Sequence, residues 1–278
     1  MKLKSLKGLA SGIQVLVFAL LLLGMTLIPG GVSAANEFPL RANYPDSPYI
    51  STEDLAKEFD NCLIFDVRSE FEFDVIHIKG AINAAVANVT FVDQVKKAVA
   101  ENHGKKIVFY CNGHTCAKSY KAEEKARKAG VEGFAYDSGV FEWVKAHPAL
   151  SSLLGQSPAD PGKIIPKADL QKKELALDDF IAKASSPDAF LIDARDVIQR
   201  KQTPDWAKKA AKQPMDKLAK NLNNAVFQKQ IEGKTLYIVD AVGKQVRWLQ
   251  YHLENEGIKN YYFLKGGMWS VYGEKGAN

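Results

Sequence analysis

The chain repeats itself at a domain-sized interval, and this limits its fold more than any other feature. The segment "LIFDVRSEFEF" at Leu63 has a counterpart in "FLIDARDVIQR" at Phe190, "GKKIVFYC" at Gly104 in "GKTLYIVD" at Gly233, and "YDSGVFEW" at Tyr136 in "FLKGGMWS" at Phe263. The offsets agree: Asp66 to Asp193 is 127 positions, Cys111 to Asp240 is 129, and Gly139 to Gly267 is 128. Solenoid repeats are much shorter, so this period indicates duplication of a whole domain. Short β-branched and aromatic runs alternate with helix signals in both copies. The expected fold is therefore α/β, two tandem domains, each a central parallel sheet flanked by helices. Strands are expected at Leu63–Asp66, Ile107–Tyr110 and Phe134–Asp137. Ser51 with Asp54 three residues on opens the first helix of one copy, and Leu177-Asp178-Asp179-Phe180 opens its equivalent. The copies are placed at 48–148 and 174–278. Residues 149–173, with Pro158, Pro161 and Pro166 among Ser, Gly and Ala, read as the linker. The stretch Gln202–Asn224 reads as an insertion whose lysines lie along the solvated face of a helix.

Ahead of the first copy, Lys2, Lys4 and Lys7 precede the apolar run Ile13–Ile28, which ends in Val32-Ser33-Ala34. That is the pattern of a secretory signal peptide over residues 1–34, cut after Ala34. The expected location is outside the cytoplasm, in the periplasm; the alternative is a tether formed by the uncleaved segment. Three lysines and no acids leave with the leader, so the formal charge of +5 falls to +2. This balance gives no reason to expect nucleic acid as a partner. Three cysteines are too few for a disulfide framework, and an odd number in an exported chain leaves at least one free thiol. Cys62, just ahead of Leu63-Ile64-Phe65, reads as a small residue at a strand edge.

The other two cysteines share one loop. In "IVFYCNGHTCAKSYKAEEKA" an apolar strand ends at Cys111, and a helix-forming run begins after Lys118. A residue at the carboxyl end of a buried strand, facing the free N–H groups of the next helix, sits where open α/β sheets bind ligands, and the site favours an anion. Those amides, with Lys118 or His114, would lower a cysteine pKa from about 8.5 toward neutrality. Cys111 is thus expected to be the nucleophile. The N–H groups of Asn112, Gly113, His114, Thr115, Cys116 and Ala117 would cradle negative charge, with Gly113 supplying the turn and Lys118 attracting an anionic substrate.

"DVRSEFEFDVIHIKGAIN", followed by the strand ending in Cys111 and then by "YDSGVFEW", resembles the rhodanese family of sulfurtransferases across the mature chain. The first motif matches at Asp66, Val67, Arg68, Glu72, His77, Ile78, Gly80, Ala81 and Asn83; Ile76 and Lys79 replace its usual Gly and Pro. The loop "CNGHTCAKS" is similar to a subgroup with a second cysteine five positions after the first, followed by an aromatic, a basic residue and Ser. Here Ala117 replaces the aromatic, and Lys118 stands where Arg is commoner. The resemblance implies two rhodanese-like domains and a ping-pong reaction. Cys111 takes a sulfane sulfur from a small anionic donor such as thiosulfate, and a thiol or cyanide acceptor, or a protein acceptor, removes it. No metal or organic cofactor is implied. Asp66 and Arg68 are expected to brace the site, with Glu72 beside the arginine, and His77 to be a structural residue.

The second copy carries "DAVGKQVRW", so Asp240 stands in the nucleophile's place and this copy is expected to be inactive. Two other functions fit the loop. A phosphatase or arsenate-reductase-like enzyme would use the same kind of cradle, but it expects Arg where Ala117 stands. A redox or sulfur-binding module would pair Cys111 with Cys116.

Overall fold

The computed structural model describes residues 37–273. The expected leader, residues 1–34, lies outside them. Among the described residues no helix is long and apolar enough to cross a membrane. The expected α/β class holds, as two all-parallel sheets with helices on their faces. The first sheet has the order β3 (Ile82–Asn83), β1 (Cys62–Asp66), β4 (Lys106–Tyr110), β5 (Phe134–Tyr136). Beyond β5, Tyr49 adds an isolated parallel bridge to Ala135. The second sheet has the order β9 (Ala211–Lys212), β8 (Ala189–Asp193), β10 (Thr235–Val239), β11 (Tyr261–Leu264), β7 (Glu174–Leu175). The two orders are the same, with β8 in the place of β1 and β10 in that of β4.

These runs form strands because both faces of a parallel sheet are covered, which selects continuous apolar sequence. Alternation then sorts the side chains. Leu63, Phe65, Ile107, Phe109 and Cys111 enter one core, and Ile64, Val108 and Tyr110 enter the other. The second core is not confined to the first half, since it also contains Trp248 and Tyr251 of the helix Val246–Asn255. That helix lies against the helix Glu70–Val75, with Phe71 stacked on His252 at 5.5 Å.

Residues 149–173 are a packed connection rather than a loose one. β6 (Ser151–Leu153) pairs antiparallel with β2 (Ile76–Ile78), and the helix Lys167–Lys173 places Leu170 in the second half's core. Three prolines and three serines punctuate this stretch, but Leu150, Leu153, Leu154, Ile164 and Ile165 provide the apolar contacts. The expectation of an inserted lysine-bearing helix over Gln202–Asn224 needs correction. Within it the α-helix spans Met215–Asn221 alone, beside a single 3-10 turn at Asp205–Ala207, and Ala211–Lys212 forms β9, which pairs with β8 as β3 pairs with β1. Ala207, Ala210, Leu218 and Leu222 are buried, so this stretch belongs to the fold of its half.

Candidate functional site

Cys111 follows the last residue of β4, and the loop after it leads into the helix Lys118–Lys128. The carbonyl of Cys111 accepts from Val140 N at 3.0 Å, and that of Tyr110 from Val67 N at 3.1 Å, which fixes the strand end from both sides. A tight turn, Cys116 N to Gly113 O at 2.8 Å, closes the loop. Gly113 has φ +149° and Gly139, opposite, has φ +72°. A Cβ at Gly139 would come within 2.3 Å of Gly113 N, so glycine is required where the two segments meet.

Of the amides expected to form the cradle, those of Asn112 and Gly113 face the sulfurs, joined by Lys118 and Ser119 from the start of the helix. The N–H groups of Gly113 and Ser119 face Cys111, and those of Asn112 and Lys118 face Cys116. The expectation for the Cys111 thiol itself is corrected. Cys111 has no exposed surface; its Sγ donates to Cys116 O at 3.0 Å and lies 3.8 Å from Ser119 Oγ. Burial pushes its pKa up, and the neighbouring Cys116 pushes it further. The group held low is Cys116, brought to about 6 by its hydrogen bond with Cys111 and, against the effect of burial, by the amides of Asn112 and Lys118. The two thiols share one negative charge, which settles first on Cys116. All three cysteines are free thiols.

Asp66 and Arg68 form the expected brace, both fully buried, with Arg68 Nε and Nη2 on the two carboxylate oxygens at 2.9 and 2.5 Å. Burial disfavours the guanidinium charge, but the attraction of Asp66 outweighs it and the Arg68 pKa is raised. Arg68 also donates to Ile76 O at 2.6 Å and to Asn112 Oδ1 at 3.1 Å, which ties the brace to the loop. Glu72 reaches the arginine only through Asn112, whose Nδ2 donates to Glu72 Oε1 at 3.1 Å. Its other oxygen accepts from Ser69 Oγ at 2.9 Å and Lys118 Nζ at 3.3 Å. Burial would raise the Glu72 pKa, but Arg68 and Lys118 hold it below the usual carboxylate range. Lys118, expected to attract substrate, is therefore already engaged.

His114 turns away from Cys111. Its Nε2 meets Glu142 Oε2 at 2.9 Å, its Nδ1 meets Glu37 O at 2.8 Å, and its ring stacks on Phe38 at 4.3 Å. Thr115 is exposed at the loop tip, and Ala117 is the residue before the helix. His77 is the structural residue expected, with Nδ1 on Phe73 O at 2.8 Å and the two rings stacked at 4.0 Å. Residues 51–146 match the family model described as a rhodanese-like domain. Within the matched segment lie the Asp66–Arg68 brace, the Cys111 loop and Gly139.

A curated relative, an HTH-type transcriptional regulator of Mycobacterium tuberculosis, is 33% identical over 87 residues, 31% of this chain and 36% of its own. The chain thus spans about a third of the length of the curated relative it matches. Among solved structures, a thiosulfate sulfurtransferase from Pseudomonas aeruginosa is similar at 18% identity and TM-score 0.36, over 82% of this chain and 44% of that one. An As-Sb reductase from Leishmania major is similar at 18% identity and TM-score 0.34, over 39% and 86%.

The second half repeats the first half's hydrogen bonds without the cysteine. Asp193 and Arg195 form the same buried pair, Ala194 N donates to Val239 O at 2.8 Å, and Met268 N donates to Asp240 O at 2.9 Å. In its loop the Asp240 carboxylate takes the amides itself, from Gly243 N at 2.6 Å and Gln245 N at 3.1 Å. Burial raises the Asp240 pKa against the pull of those amides. The sequence reading missed two contributions to the first site. Ser119 is the more legible, being the second residue of the helix that follows the loop. Trp248, from the second half, lies 5.3 Å from the Arg68 guanidinium, and no local pattern announces it.

Proposed function

We propose that the protein is an exported sulfurtransferase that carries sulfane sulfur on Cys111, with a second, silent rhodanese-like copy in its other half. The observation that carries this reading is the placement of Cys111, inside the rhodanese-like segment, at the end of β4 and among inward-facing amides. The Cys111 thiolate attacks the sulfane sulfur of a donor such as thiosulfate. A new S–S bond forms, the donor's own S–S bond breaks, and sulfite leaves with the electron pair. An acceptor thiolate or cyanide then attacks the outer sulfur and returns Cys111 as thiolate. The Cys111 proton passes to Cys116, its hydrogen-bonded neighbour and the first of the pair to ionise. Because Cys111 is fully covered, the Asn112–Ala117 loop parts to admit the donor. Amides that neutralise the thiolate also neutralise the persulfide. The shared strand order and the carboxylate filling the Asp240 loop support a duplicated and inactive second copy.

A second reading has a specific observation behind it, the hydrogen-bonded Cys111 and Cys116, which in an oxidising compartment would serve as a reversible dithiol. One experiment separates the two. After incubation with thiosulfate, mass spectrometry should find a single added sulfur on Cys111, and Cys111→Ser should reduce turnover to the uncatalysed rate. A Cys111–Cys116 disulfide with no added sulfur would favour the redox reading. Retained turnover in Cys111→Ser would remove the assignment altogether.

A further inference from the structure

The cations of the first half's own site are all committed. Lys118 is held by Glu72, and the guanidinium of Arg68 is divided among Asp66, Asn112 and Ile76 O. An anionic substrate needs a cation that is free.

The duplication supplies one. Aligning Cys111 with Asp240 places Arg247 at the position of Lys118, 129 residues on. In its own half Arg247 faces a loop whose amides Asp240 has already taken. It extends to the first half instead. Its guanidinium lies 4.3 Å over the ring of Phe141, two residues beyond the Gly139 that touches the Cys111 loop, and the charges of Arg68 and Glu72 act on it. The next residue, Trp248, stacks on Phe141 at 5.6 Å and covers Arg68, which holds this end of the helix on the site. Arg247 makes no ion pair and no side-chain hydrogen bond among the described residues, although burial lowers its pKa. Its N–H donors are free to meet an anion. Two residues before it, Gln245 lines a cleft of about 760 Å³ with Arg68, Glu72 and Lys118, so the start of this helix borders the first half's site.

We propose that Arg247, contributed by the second half, binds the anionic group of the substrate at the first half's cysteine. The half without a nucleophile thereby sets the preference for charged over neutral reactants. Naming the anion as a sulfur donor rests on the function proposed above; recognition of an anion by Arg247 does not.

The test compares two reagents of similar size and reaction, anionic iodoacetate and neutral iodoacetamide, with the site of modification mapped by mass spectrometry. Arg247→Ala should slow alkylation of the Cys111–Cys116 pair by iodoacetate about tenfold, the scale of one lost charge-assisted hydrogen bond, and leave iodoacetamide unaffected. Arg247→Lys should retain most of the iodoacetate rate. Arg247→Gln, which keeps an aliphatic stem on Phe141, should behave like Arg247→Ala and serves in its place if the alanine variant fails to fold. With thiosulfate, the same variants should raise KM about tenfold at nearly unchanged kcat. Equal loss with both alkylating reagents, or no loss with either, overturns the proposal. Absence of sulfur transfer in the parent protein would overturn the proposed function while leaving the alkylation comparison intact.

Discussion

At the scale of single residues, the two thiols decide the chemistry together. Cys111 is at the end of the strand and has the position of a nucleophile, but burial and a neighbouring thiolate favour its protonated form. Cys116 is held at about 6, so the pair carries one negative charge above that pH. A lowered thiol pKa makes reactivity appear as pH rises, and the rate of persulfide formation should climb through about pH 6 and then level. In Cys116→Ser the proton acceptor and the shared charge are lost. The limb should move upward by about one to two pH units, which stopped-flow measurement across the pH range would resolve. An unmoved limb would show that Cys111 ionises independently of Cys116.

At the scale of elements, the site is made where two chain segments meet backbone to backbone. The Asn112–Gly113 turn lies against Ser138-Gly139, the start of the helix Gly139–Ala146, and Gly139 has the positive φ that lets the segments touch. A methyl group there would collide with main-chain atoms of Asn112 and Gly113, which cannot rotate away as a side chain could. Gly139→Ala should lower stability by about 2 kcal/mol or more in urea unfolding. It should also reduce sulfur transfer, because the displaced turn carries the amides. Gly130, also at positive φ but with open space around its Cβ position, is the control for backbone strain alone. Equal losses at the two positions would mean that contact with the loop is not the cause.

At the scale of the whole molecule, the halves are joined through a shared core rather than by a tether. Trp248 and Tyr251 lie among side chains of the first half, and Tyr251 OH accepts from Ile165 N at 3.1 Å. The second loop is thereby a rigid part of the first site's surroundings. Its own carboxylate is a structural group, accepting two backbone N–H groups. Asp240→Asn keeps one side-chain oxygen and removes the charge. It should leave turnover within about twofold of the parent and cost about 1–3 kcal/mol of stability, as one amide loses its acceptor. Steady-state kinetics beside a denaturation curve checks both. Loss of turnover at full stability would show that the second loop takes part in the chemistry.

The sequence by itself determined the alternation of strands and helices, the strand ends at Asp66 and Tyr110, the position of Cys111 beside a helix start, and the pairing of Asp66 with Arg68. These follow from short-range pattern: apolar runs that cannot be left in water, capping residues, and charges two positions apart on one strand end. The tertiary structure decided which thiol holds the charge, that Glu72 takes Lys118, that His114 turns to Glu142, and that residues 149–173 and 202–224 are packed into the fold. It also brought Trp248 and Arg247 to the first half. Each of these depends on burial or on a charge contributed by a distant segment. Electrostatic and packing energies follow distance in space, which periodicity along the chain does not encode.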